Sequence, residues 1–77
     1  MYSIAQTGLG SKMFYNFQKE QIEWAIYRHK RDENHFCNDK AKVFEICEKM
    51  QIAENSKDWG YAKPIYLYKN DKLVKVF

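Results

Sequence analysis

The chain has 77 residues, a net charge of +3, a pI near 8.9, and 45% apolar and 30% charged residues. One small domain is expected at that length, burying only about 60 to 65% of the surface that the unfolded chain exposes, and the well-mixed charges argue against global disorder. The basic excess is too small for charge alone to indicate nucleic acid; there is no apolar run of span length and no leader-like N-terminus, so a soluble cytoplasmic protein is expected.

Taken in order, Tyr2 to Gln6 alternates Tyr2 and Ile4 with Ser3 and Ala5, the pattern of a short strand. Thr7 to Ser11 holds two glycines and reads as a turn, with Ser11 a helix cap. Between Ser11 and Gly60 there is neither Gly nor Pro, so periodicity has to locate the elements. At 100° per residue Phe14, Tyr15, Ile22, Ala25, Ile26 and His29 share a face, which predicts an amphipathic helix from about Lys12 to Asp32. Asn16 could instead cap a shorter helix beginning at Phe17. A second helix, capped by Asn38 or Asp39 and running to about Ile52, carries the stripe Val43, Phe44, Ile46, Cys47 and Met50.

After the polar stretch Asn55 to Asp58, Trp59-Gly60-Tyr61 and Pro64 lead into two apolar alternations around Asn70-Asp71. Asn and Asp tolerate positive φ, so a type I′ hairpin turn is expected there. A regular register sets Leu67 against Val74 and Ile65 against Val76, leaving Tyr66, Tyr68, Leu73 and Lys75 on the outer face. The predicted fold is α+β: two antiparallel helices packed on a small antiparallel sheet, in the order β-α-α-β-β, ending in a C-terminal hairpin.

Five Phe, six Tyr and two Trp are more rings than so small a core readily encloses, and exposed rings mark binding surfaces. The foremost partner-binding candidates are therefore Trp59, Tyr61, Tyr66, Tyr68 and Lys75, on a C-terminal segment whose lysines make it the basic end of the chain. Such a face could anchor a protein partner or, with Lys63, stack single-stranded bases; it could equally be ordinary cross-strand packing with lysines guarding the edge. Arg28, Lys30 and Arg31 form a secondary basic patch that would also complement the end of the first predicted helix.

His29, His35, Cys37 and Cys47 include no regularly spaced ligand pairs, so no metal and no cofactor is expected. Gly8-Leu9-Gly10-Ser11-Lys12 lacks the spacing of a phosphate loop, and Glu20 and Glu23 read as solvated charges. No nucleophile with a nearby base is apparent, so catalysis is not expected. The expectation is a non-enzymatic binding protein that docks on and inhibits or regulates a larger protein or nucleoprotein complex. Its size and its Lys, Asn, Ile and Tyr bias fit a phage or mobile-element accessory protein. Single-stranded nucleic acid and a homodimer partner are the alternatives.

Overall fold

A computed structural model describes residues 1–8, 11–23, 30–58 and 60–77. Five antiparallel strands form one sheet: β1 (Tyr2–Gly8), β2 (Ser11–Asn16), β3 (Gln21–Glu23), β4 (Tyr66–Lys69) and β5 (Lys72–Val76), in the spatial order β3-β2-β1-β4-β5. Among the described residues one α-helix, α1 (Lys40–Asn55), covers one side of it.

Paired residues share a face, so the register divides the side chains. Tyr2, Ile4, Tyr15, Ile22 and Leu67 point toward α1, whereas Ser3, Ala5, Phe14, Glu23, Tyr66 and Tyr68 point away. Val43 and Cys47, one turn apart on α1, are fully buried against Tyr2, Ile4, Tyr15, Ile65 and Leu67. Each such aliphatic burial contributes about 1.5 to 3 kcal/mol before entropy is counted. Asp39 caps the helix by accepting from the Lys42 backbone N–H at 3.2 Å, and Ser56 closes it through its own N–H and hydroxyl on the Ile52 carbonyl.

The first predicted helix is overturned, and with it the two-helix layer. Residues 11–23 form β2, a four-residue turn and β3. Met13, Phe14 and Tyr15 are all buried because β2 is an interior strand with both faces covered, and a continuous apolar run has no period that separates strand from helix. The turn itself lacks Gly and Pro. Asn16 makes it with its side chain, Oδ1 accepting the backbone N–H groups of Gln18 and Lys19 at 2.9 Å each, while Glu20 takes a φ of 55°. Ala25, Ile26 and His29, on the predicted helix face, lie outside the described residues.

Asn70 and Asp71 have φ of 52° and 62° at the β4–β5 turn, the backbone that a type I′ hairpin requires. The regular register expected beyond it is corrected by a bulge. Tyr68 pairs with Leu73 but Leu67 with Lys75, so Val74 is the extra residue, and Tyr66 rather than Ile65 lies opposite Val76. Ile65 exchanges both backbone hydrogen bonds with Phe77 at 3.2 and 2.8 Å, and the Phe77 ring packs edge-on against Phe44 of α1 at 5.8 Å. The shift therefore brings a large ring, rather than a valine, to the helix side of the sheet.

The segment 30–37 follows a second route over the molecule. A single 3-10 turn at Glu33–His35 is capped by Asp32, the Phe17 N–H donates to the Asn34 carbonyl at 2.7 Å, and Cys37 bridges to Tyr2. This segment fills the gap where β1 and β2 diverge, and it delivers Arg31 to the face away from α1.

Candidate functional site

The aromatic face expected on the hairpin is taken apart by the bulge. Tyr66 and Tyr68 point away from α1, but Lys75, paired with Leu67, points toward it and sits over the rings of Phe77 and Phe44 at 4.7 and 5.8 Å. Tyr68 is 6% exposed, packs with Ala5 and Phe14, and its hydroxyl accepts a hydrogen bond from Lys12, whose ammonium also lies 4.8 Å from the Tyr68 ring. Lys12 lies 5.6 Å from the Tyr66 ring too, a partner that sequence reasoning had assigned to the opening of a helix. Tyr61 is well exposed and lines, with Lys57, Asp58, Gly60 and Lys63, a depression of about 370 Å³ on the connection before β4; Trp59 lies outside the described residues.

The secondary basic patch does not gather as a surface. Arg28 lies outside the described residues, and Lys30 is exposed. The Arg31 side chain is only 6% exposed, its guanidinium stacked between Phe14 at 4.6 Å and Phe36 at 4.8 Å and paired with Asp71 at 2.9 Å. It is a clamp that holds the 30–37 segment to the hairpin turn. Arg side chains suit this place because a planar, weakly hydrated cation stacks on rings while its fork reaches a carboxylate.

Of the residues weighed for metal, His29 is outside the described residues. Cys47 is buried, and loss of solvation pushes its thiol up to about 12, with Glu48 raising it further and Lys75 opposing. Such a thiol stays protonated and unreactive at neutral pH. His35 is buried in a polar cluster: Nδ1 accepts the Asp32 N–H at 3.1 Å, and Nε2 lies 3.2 Å from Glu23 Oε1. Glu23 also accepts from the Asn16 side chain, and that hydrogen bond leads the effects that hold its carboxyl below the ordinary value, ahead of the Lys19 and His35 charges. Glu23 therefore has a structural role in tying β2, β3 and the 30–37 segment together, and Glu20 stands apart from it in the turn. Among the described residues no group of three or more His, Cys, Asp or Glu could hold a metal ion.

A groove of about 440 Å³ runs between α1 and the β2–β3 turn, floored by Tyr15, Phe17, Ile46 and Met50. Burial, followed by the Glu20 charge, raises the Tyr15 phenol above its ordinary range, so it stays neutral. The groove supplies shape without a reacting group on its floor.

A further candidate surface, of whose residues only Lys75 was singled out from the sequence, is the outer edge of β5. This strand ends the sheet, every one of its five residues is exposed, and Leu73, Val74 and Val76 are 52%, 51% and 49% exposed. Its side chains segregate: Leu73 and Val76 pair with Tyr68 and Tyr66 on the face away from α1, whereas Lys72 and Lys75 pair with Lys69 and Leu67 on the α1 side. The signal lay in the apolar alternation, but the bulge determines which residues share a face. Among the described residues no helix is long and apolar enough to cross a membrane. The chain matches no family model, no curated protein and no solved structure.

Proposed function

We propose that the chain is a small, non-enzymatic, cytoplasmic binding domain that docks on a larger protein and regulates it through the free edge of β5. One observation carries this reading: a sheet-terminal strand exposed throughout, with three aliphatic side chains about half exposed on it. An unpaired edge offers main-chain donors and acceptors to an added strand, and side-chain rows on its two faces supply selectivity. The nucleic-acid alternative, which draws on Tyr66, Tyr68, Lys63 and Lys75, is less favoured because the bulge turns Lys75 away from the face of the two tyrosines.

The test places a photo-crosslinking residue at Val76 on the edge and, as a control, at Ile52 on α1, where the side chain is 65% exposed. In the cells from which the sequence comes, a discrete protein adduct at position 76 and none at 52 is expected. Equal adducts at both positions, or none at either, would overturn the reading.

A further inference from the structure

The β5 edge carries a chemical asymmetry that narrows its partner, and the inference rests on the reading of that edge as the docking surface. On the α1 side stand Lys69, Lys72 and Lys75, with Lys69 and Lys72 directly opposite each other across the hairpin. Like charges in that arrangement repel. The one carboxylate of the hairpin, Asp71, is taken up by Arg31 at 2.9 Å, and among the described residues no carboxylate forms an ion pair with any of the three lysines. On the other face Leu73 and Val76 continue the apolar surface of Tyr66 and Tyr68 to the rim.

We infer that the β5 edge accepts an extended acidic segment of another protein, in which carboxylate side chains alternate with aliphatic ones. Val74 is the extra residue of β5, so an added strand that passes it as β4 does, with adjacent residues opposite Leu73 and Lys75, places its acids against Lys72 and Lys75 and its aliphatic residues against Leu73 and Val76. A second copy of the chain is the poorer occupant: pairing β5 with itself would bring two sets of these lysines together on one sheet. Lysines at an edge discourage self-pairing, and the same charge selects the acidic strand.

The experiment titrates the isotopically labelled full chain with three peptides of about eight residues while its backbone amide signals are followed. One alternates Glu with Val or Thr, the second replaces every Glu by Lys, and the third has the composition of the first with its acids and aliphatics in separate blocks. The expected result is shifts confined to residues 66–76, an affinity for the first peptide at least about tenfold above the others, and loss of most of that preference in about 0.5 M salt. Lys72→Glu is the matching variant, because Lys72 is exposed and sits over no ring among the described residues, unlike Lys69 and Lys75. It should remove most of the preference for the acidic over the basic peptide while leaving the fold intact.

Equal binding of the acidic and basic peptides, or of the alternating and blocked ones, overturns the inference. So does a doubling of solution mass without peptide, which would assign the edge to a second copy, or displacement of the acidic peptide by a single-stranded oligonucleotide bound at the same amides. Position-76 adducts in cells with no preference for the acidic peptide would sink this inference and leave the docking reading standing. Failure of both experiments would remove the two together.

Discussion

Two hairpins of the sheet, β2–β3 and β4–β5, are built by opposite means. β4–β5 turns on its own backbone, with Asn70 and Asp71 in the left-handed region and its outer strand exposed. β2–β3 turns on a buried side chain, that of Asn16, which is 3% exposed and serves two backbone N–H groups and Glu23 together. A locally encoded turn leaves its strand free to meet something else. A turn built on a buried side chain ties its strands to the packing around that side chain.

The difference is sharpest in the response to losing a polar group. Asn16→Ala removes the acceptor for the Gln18 and Lys19 N–H groups and the donor to Glu23 in one step, and is expected to cost about 2 to 4 kcal/mol. Urea unfolding of the full chain measures it. A loss under about 1 kcal/mol would mean that the Asn16 side chain is not what holds the β2–β3 turn.

Next in size is the clamp that joins the two halves. Arg31→Ala gives up both ring contacts and the reach to Asp71, and a loss of about 1 to 3 kcal/mol is expected. Asp71→Asn keeps a residue that accepts positive φ and removes only the charge; Asp71 is about half exposed, so its effect should be small. In a double-mutant cycle the coupling between the two positions is then expected below about 1 kcal/mol, with most of the Arg31 effect arising from Phe14 and Phe36. A coupling as large as the whole Arg31 effect would show that the ion pair is the clamp.

The contrast also explains what the sequence made legible. The second helix was readable because a capping Asp39 precedes a stripe at helical spacing, and the Asn70-Asp71 turn because its chemistry lies in two adjacent residues. β2 was not, since Met13-Phe14-Tyr15 is buried on both faces and the residues that cover it come from distant parts of the chain. Arg31 read as part of a basic patch at a helix end for the same reason: its partners Phe14 and Asp71 lie far away in sequence. For the candidate site, the apolar residues of β5 were in view, but the bulge at Val74 decides that Lys75 leaves Tyr66 and Tyr68. The turn of this hairpin predicts a smaller effect still. Asp71→Gly relieves positive φ at a cost in contact with Arg31, and a net change within about 1 kcal/mol is expected from thermal unfolding.

The smallest effect expected is in acid, and it again separates the hairpins. Glu23 is held below the ordinary carboxyl range, first by the Asn16 hydrogen bond. Glu54, at the end of α1, is also lowered: burial pushes it up, but hydrogen bonds from the Lys57 side chain and the Lys63 N–H, with the charges of those lysines, outweigh that. For a carboxyl whose folded value is depressed, the stabilisation is present above the unfolded value of about 4.3 and fades as the pH falls through the lowered folded value. Stability should therefore decline below about pH 4.3, and Glu23→Gln and Glu54→Gln should each flatten that decline. Because Glu23 is tied to the buried Asn16 side chain and reaches the β4–β5 turn only through His35, the 30–37 segment and Arg31, Glu23→Gln should also broaden amide signals of β2 and β3 at neutral pH more than those of β4 and β5. Equal broadening across the sheet would show that the two hairpins open as one unit.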